Sequence, residues 1–152
     1  MKRGEFHSLG LVLGHHYADS PAVVDDGSPV PPDSLTEYHG SARPGARLPH
    51  RWWGDGSSLY DHLGRGFTLL RLDPRVDVGA AVAAARAAGV PLRVLDAPDL
   101  RDAHAYGAPL LLVRPDQHVA WRGSSATRAA AALDVARGVV GTSRARVPAA
   151  RR

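Results

Sequence analysis

The side chains that could act as nucleophiles, acids or metal ligands are scattered along the chain. Asp61 and His62 lie beside a serine pair at 57–58, which supplies the residue types of a catalytic triad, but no nucleophile elbow or set of oxyanion glycines accompanies them. His15 and His16 are adjacent, so on a strand they would point to opposite faces and could not share one metal ion. The remaining histidines lack the spacing of zinc ligands. We therefore predict no catalytic residue and no metal-binding residue.

Two common kinds of redox chemistry need residues that this sequence lacks. The chain has no cysteine, which excludes thiol nucleophiles, disulfide exchange and thiolate-bound metals. A dinucleotide fingerprint places its glycines between a first strand and a helix, whereas Gly64 and Gly66 open no helix. We predict that this chain alone binds no cofactor.

Aromatic and basic side chains near position 50 are better candidates for contacts with a partner or ligand. Trp52 and Trp53 alternate in direction, so one would face the core and the other would face solvent. An exposed tryptophan is typical of an interface. His50 either contacts a partner or, as we favour, anchors its segment by a hydrogen bond to the backbone. Arg65 is predicted to bind either carbonyl groups of the N-terminal segment or a partner. The candidate contact residues are Tyr17, Arg47, His50, Trp52, Trp53 and Arg65.

Length and composition are those of one globular domain. The chain has 152 residues, of which 44% are hydrophobic, and a formal net charge of +4. The positive charge is almost all arginine and forms no block before the tail, so we predict no nucleic-acid partner. The apolar runs Leu9–Leu13 and Pro109–Val113 are five residues each, far below the ~20 that span a bilayer, and no secretory segment is found. We therefore predict no membrane association and a cytoplasmic location.

The N-terminal third differs from the rest of the chain, and we predict that residues 1–50 form an extended arm that lies across another surface. Leu9–Tyr17 is predicted as a strand and Ser20–Val24 as a second extended piece. Proline, glycine and aspartate mark Asp25–Asp33 as a loop, and Arg43–Pro49 is predicted to be extended again.

Residues 51–140 have the pattern of an α/β domain, and residues 141–152 that of a disordered basic tail. Ser57–Leu63 is predicted as a short strand or turn, and Asp99–Tyr106 as a helical turn. We expect one parallel pair of strands joined by a helix, and an antiparallel hairpin near the end. The predicted strands are Gly66–Leu72, Val90–Leu95, Pro109–Val113 and His118–Arg122. The first predicted helix is Val76–Ala88, with Gly89 as its C-terminal cap. A last helix is predicted to be capped by Ser124 or Ser125 and to end at Gly138.

Several segments carry a resemblance to a known family. PGARLPHRWW, SLYDHLGRGFTLL and YGAPLLLVRPDQHVAWRG resemble the C-terminal thioredoxin-like domain of FAD-dependent aromatic hydroxylases, the class A flavin monooxygenases. The earlier segment LGLVLGHHYADSPAVVDDG is similar to the one that joins the catalytic part of those enzymes to this domain. The resemblance covers roughly residues 8–138. It implies an α/β fold with a thioredoxin-like mixed sheet, flanking helices and an extended N-terminal arm.

The resemblance to thioredoxins also implies two local features. The position of the redox-active cysteine pair corresponds to 72–76, LDPRV, so the domain is expected to be non-redox. Thioredoxins have a cis proline before their terminal hairpin, and the corresponding residue in this chain is Pro109. We therefore predict a cis bond between Ala108 and Pro109.

The function that the resemblance implies is that of a stand-alone accessory subunit. We expect it to associate with a separate flavin monooxygenase catalytic subunit, which binds FAD and NAD(P)H, in polyketide or other natural-product tailoring. Met1-Lys2-Arg3 is compatible with a natural start of a small protein. One alternative is a self-associating structural or small-ligand-binding module, such as a homodimer in which arms cover the sheet edge. A third is a small independent enzyme that uses His50 or Asp61.

Overall fold

A mixed sheet of four strands lies at the centre of the computed structural model, which describes residues 8–32 and 34–139. The strand order is β2-β1-β3-β4, with β1 and β2 parallel and the other two pairs antiparallel. The predicted parallel pair and terminal hairpin are therefore confirmed. The strands are β1 (Phe67–Arg71), β2 (Leu92–Asp96), β3 (Leu110–Val113) and β4 (Val119–Gly123).

The helices follow local capping signals. Ser125 Oγ accepts a hydrogen bond from the Arg128 amide at the start of the last helix, and Gly89 has a φ of 65° just after the crossover helix, as expected for a C-terminal glycine. Both long helices and the helical turn are confirmed. Within the predicted strand or turn at 57–63, Ser58 caps a short helix instead. The helices are α1 (Leu9–Leu13), α2 (Leu59–His62), α3 (Gly79–Ala87) and α4 (Ala126–Ala136), and a 3-10 turn spans Ala103–Tyr106.

The two faces of the sheet are covered by different elements, because alternate residues of a strand point to opposite faces. On one face, Leu69 and Leu112 pack against the small side chains of α3 and α4. On the other face, Leu70 and Leu111 pack against the segment that precedes β1, and this face has no long helix. The second face therefore depends on the N-terminal half of the chain for its cover.

The predicted strand at Leu9–Tyr17 is wrong, because most of its apolar part is the helix α1. The amides at positions 12 and 14 donate to carbonyls four residues earlier, at 2.9 and 2.8 Å. A strand would need a partner along its length, and only His16 pairs, in one antiparallel bridge with Ala46. Gly10 fixes α1 against the following loop, since a Cβ there would lie 2.0 Å from the Ser34 carbonyl oxygen.

The extended piece predicted at Ser20–Val24 is also wrong, and the segment forms turns. The Ser20 amide donates to the Tyr17 carbonyl at 3.1 Å, and the Val23 amide donates to the Ser20 carbonyl at 3.2 Å. Ser20 Oγ accepts from the Ala22 amide, so a local side-chain bond competes with extension. Residues 25–32 form the predicted loop.

The segment around residue 46 lies along the outer edge of β4 and joins the core. The amides of Gly45 and Leu48 donate to the carbonyls of Val119 and Gln117 at 2.7 and 2.8 Å, and the Val119 amide donates to the Ala46 carbonyl at 2.9 Å. Leu48 is fully buried. The predicted arm thus covers an edge of its own domain, and its contact with a second surface stays a prediction, as does the division at residue 50.

The predicted cis bond at Ala108-Pro109 is wrong, because the described residues contain no cis peptide. The trans form is the lower-energy isomer for most prolines. With a trans bond the Pro109 carbonyl already accepts from the Leu72 amide at 2.8 Å, which extends the pairing of β1 and β3. The predicted tail, 141–152, lies outside the described residues. Within the described ranges, no helix has the length and apolar character needed to cross a bilayer.

Candidate functional site

Aromatic rings and guanidinium groups gather where residues 47–60 fold over the face of the sheet that has no long helix, which we call the open face. The His50 ring lies edge-on to Trp52 at 4.4 Å and to Tyr60 at 5.4 Å. The Arg47 guanidinium lies 5.4 Å from the centre of the Tyr60 ring. Cation–π and edge-to-face contacts of this kind stabilise a fixed arrangement of rings. We call this group the aromatic cluster; its members are Arg47, His50, Arg51, Trp52, Tyr60 and Tyr106.

Two phenol groups hold the backbone on which the aromatic cluster is built. The hydroxyl of Tyr60 donates to the Leu48 carbonyl, and the hydroxyl of Tyr106 donates to the Pro49 carbonyl. Tyr106 is fully buried, and this burial raises its pKa above the ordinary value of 10.0. The Arg51 guanidinium lies 5.5 Å from the centre of the Tyr106 ring. These bonds fix where residues 50–52 emerge at the surface.

His50 anchors its segment, although through a side chain. Its Nε2 lies 2.9 Å from Ser58 Oγ, and Ser58 in turn accepts from the Tyr60 amide at the start of α2. The prediction of an anchoring histidine therefore agrees with the geometry, but the partner is a hydroxyl and not the backbone. Any contact of His50 with another molecule stays a prediction.

The two tryptophans face in different directions, as predicted. Trp53 packs against the core cluster of the open face, and its ring lies 4.6 Å from that of His62. Trp52 is 53% exposed. The Arg101 amide donates to the Trp52 carbonyl at 3.1 Å, so the backbone beneath this exposed ring is held in place. A large exposed ring on a fixed backbone suits contact with another surface.

The other candidates do not all lie in the aromatic cluster. Arg47 also reaches Gln117 Oε1 with its Nη2 at 2.6 Å, which ties the cluster to the β3–β4 turn. Tyr17 is 41% exposed and packs edge-on against His118 at 4.9 Å. Arg65 is exposed, and its side chain forms no hydrogen bond or ion pair with residues 8–32 or 34–139. The expected contact of Arg65 with carbonyls of the arm is therefore not formed.

The serine and histidine side chains of this region do not form a catalytic triad. Ser57 Oγ lies 2.9 Å from His62 Nε2 and donates to Asp55 Oδ1 at 2.7 Å. The carboxylate therefore holds the serine and not the histidine, whereas a triad needs the carboxylate on the imidazole. Asp61 is exposed and takes no part. Among the described residues, no group of three or more His, Asp or Glu side chains could hold a metal ion.

Sequence reasoning missed three residues that build this region. Arg51 and Tyr106 belong to the aromatic cluster, and Arg43 is 2% exposed, with its Nη2 3.0 Å from Asp25 Oδ1. An arginine in a proline-rich segment is usually a surface charge, so no local signal marks Arg43 as buried or Arg51 as a member of the aromatic cluster. Tyr106 ends a short turn, and only its large ring indicates that its side chain could be buried.

A known family of domains matches the segment along the edge of β4, the aromatic cluster and the sheet. The family described as aromatic-ring hydroxylase, C-terminal, matches residues 41–143. The chain belongs to this family. The resemblance found in the sequence is thus confirmed, and so is the mixed α/β sheet with flanking helices.

Relatives and solved structures agree with this assignment. An FAD-dependent monooxygenase, apdD, of Emericella nidulans is 32% identical over 80% of this chain and 21% of its own length. The aklavinone 12-hydroxylase RdmE of Streptomyces purpurascens is 37% identical over 79% of this chain and 24% of its own length. The rebeccamycin biosynthetic enzyme RebC with reduced flavin has a TM-score of 0.75 and 36% identity, over 91% of this chain and 25% of RebC. This chain therefore spans about a fifth to a quarter of the proteins that it matches.

The residues after β1 do not suit the pyrophosphate of FAD, the cofactor on which the Emericella monooxygenase depends. At the start of α3, Asp77 Oδ1 accepts from the Gly79 amide at 3.1 Å, so that donor is already used. Asp73 lies in the same loop, and its hydrogen bond from Arg75 lowers its pKa to about 2, which keeps it anionic. The Arg75 guanidinium offsets the charge of Asp73, whereas Asp77 occupies the amide that a pyrophosphate would need and places a carboxylate there.

Proposed function

We propose that this chain is a non-redox accessory component of an FAD-dependent aromatic hydroxylase, of the kind that tailors polyketides and other natural products. It associates with a separate flavin-bearing subunit, and FAD and NAD(P)H bind there. The observation that supports a place in such an enzyme most strongly is the family match over residues 41–143, together with relatives such as the FAD-dependent monooxygenase apdD. The start of α3, where Asp77 already accepts from the Gly79 amide, agrees with flavin binding elsewhere.

The role of the chain's own residues in this proposal is to present a fixed contact surface. Tyr60 and Tyr106 hold the backbone of 48–49, which leaves Trp52 exposed on a rigid support. Arg65 is an exposed guanidinium without an internal partner among the described residues, so it is available to a carboxylate or carbonyl of another subunit. Oxidation of the aromatic substrate takes place on the flavin-bearing subunit.

The proposal is tested by mixing the purified 152-residue chain with the RdmE hydroxylase from which the matching terminal quarter has been deleted. Retention of FAD by the truncated enzyme is the control for its folding. We expect the chain to co-elute with the yellow protein in gel filtration and to increase hydroxylation of aklavinone. Trp52→Ala should weaken the association, while Val82→Ala, which removes an exposed side chain from α3, should not. A folded yellow enzyme that never binds the chain would contradict the proposal.

A further inference from the structure

Exposed apolar side chains are concentrated near the start of the chain. Among the described residues, most of the large hydrophobic side chains that face solvent lie between positions 9 and 38, and the others are Trp52, Val82 and Val139. On α1, Leu9, Leu11 and Val12 are 58%, 62% and 64% exposed. Exposed apolar side chains grouped on one short helix are typical of an interaction site. We define the α1 face as the exposed side chains of Leu9, Leu11, Val12 and Leu35.

The α1 face borders a concave surface. A cavity of about 360 Å³ lies between α1 and the loop at 31–39, and Leu11 and Leu35 contribute apolar walls. Leu35 is 70% exposed, although its carbonyl accepts from the Leu11 amide at 3.4 Å. The close contact of Gly10 with the Ser34 carbonyl holds the helix and loop together. The groove is therefore a shaped feature of the fold.

The chemistry of the α1 face fits an apolar partner surface. The helix itself, LGLVL, carries no charged residue. The polar rim of the groove consists of Glu37 and His39, whose Oε2 and Nε2 atoms lie 3.5 Å apart. A dry apolar centre with a polar rim is the usual layout of a stable protein interface.

The position of the α1 face along the chain suggests which surface covers it. The family match begins at residue 41, whereas the likeness to RebC extends over 91% of the chain and therefore reaches into the segment before residue 41. The family description places residues 41–143 in the C-terminal part of an aromatic-ring hydroxylase, and this chain covers 25% of RebC, so along the chain the α1 face stands between this domain and the larger part of such an enzyme. We propose that the α1 face docks on an apolar surface of the flavin-bearing part of an aromatic hydroxylase. This inference rests on the function proposed above.

The test measures the dissociation constant of the chain and the truncated, FAD-loaded RdmE hydroxylase. The variant Val12→Glu/Leu35→Glu places two charges on the α1 face, at side chains so exposed that folding should be unaffected. The matched control is Val82→Glu on α3, where the side chain is 42% exposed. We expect the double variant to bind at least about tenfold more weakly and the control to bind like the wild type. Circular dichroism checks that all three proteins are folded.

The possible results separate this inference from the proposed function. Binding of the wild type with unchanged binding of the double variant would overturn the α1 face and leave the accessory role intact. Loss of binding in both variants would also overturn it, because the effect would not be local. Failure of the wild type to bind would contradict the accessory role and with it this inference. A dimer of the lone chain that the double variant abolishes would show that a second copy is the occupant, against our proposal.

Discussion

Replacement of Tyr106 by phenylalanine tests whether the segment before β1 is held by the hydrogen bond of a buried phenol. The side chain is fully buried, and its hydroxyl donates to the Pro49 carbonyl across 57 positions of sequence. Phenylalanine keeps the ring in the core and removes only the donor. The Pro49 carbonyl is then left buried with no donor among the described residues.

The expected cost follows from that unsatisfied carbonyl. Loss of one partner of a buried hydrogen bond costs about 1–3 kcal/mol of unfolding free energy. For a chain of this size, each kcal/mol lowers the melting temperature by about 2–4 °C. Urea unfolding, followed by tryptophan fluorescence, should give a lower midpoint with an unchanged slope. Tyr17→Phe is the matched control, since Tyr17 is partly exposed and makes ring contacts only.

The effect of Tyr106→Phe should also depend on pH. Burial raises the pKa of Tyr106 in the folded state above its ordinary value of 10.0. Below that value the phenol is protonated in both states, and its contribution to stability is complete. At higher pH the unfolded chain loses the proton first, so the wild type loses stability as the pH rises towards the folded-state pKa. The variant lacks this loss, and the difference between the two proteins should shrink above about pH 10. A Tyr106→Phe protein as stable as the wild type at neutral pH would refute the reasoning.

Three further substitutions test other parts of the structure. Leu48→Ala should lower the unfolding free energy by about 2–5 kcal/mol, because Leu48 is fully buried; a cost near zero in urea unfolding would mean that this segment is not part of the core. Gly10→Ala should separate α1 from the loop, since its Cβ would lie 2.0 Å from the Ser34 carbonyl oxygen, and faster hydrogen exchange on α1 with an unchanged global midpoint would report it. Burial of Asp26 raises its pKa, but its hydrogen bonds, including that from Arg122 at 2.6 Å, lower the pKa by more. The pKa of Asp26 therefore lies below the ordinary value. Its stabilising effect is therefore lost as the pH falls through that lowered value; Asp26→Asn should weaken the acid dependence of stability, and an unchanged acid profile would contradict this.

The sequence predicted the elements of the sheet and its two long helices because their signals are local. An apolar run bounded by glycine and Asp73-Pro74 defines β1, and a serine cap with a following glycine defines α4. The register of alternate residues then assigns Leu69 and Leu70 to opposite faces. Nothing distant in sequence is needed for these predictions.

The arm was predicted less well because distant contacts decide its structure. The helix α1 depends on the close approach of Gly10 to Ser34. The position of the segment near Ala46, along the edge of β4, depends on its pairing with Val119. An apolar stretch with two glycines predicts a strand as readily as a short helix. The isomer of Pro109 was inferred from the resemblance to thioredoxins alone, and the described residues contain no cis bond.

The candidate contacts were predicted in part. The alternation of Trp52 and Trp53 follows from adjacency, so one exposed ring could be foreseen. The support beneath that ring comes from Tyr106, more than fifty positions later, which no local pattern reveals. The exposed apolar side chains of α1 were unforeseen because the same residues were expected to be a strand of the arm.

Native mass spectrometry tests the central claim most directly, because it reports the bound flavin and the subunit composition of each species. The chain would be measured alone with added FAD and then with the truncated RdmE hydroxylase. We predict an apo chain in the first case and, in the second, a complex of one copy of each protein that carries one FAD. FAD held by the lone chain, or two proteins that remain separate while the hydroxylase keeps its FAD, would contradict the account.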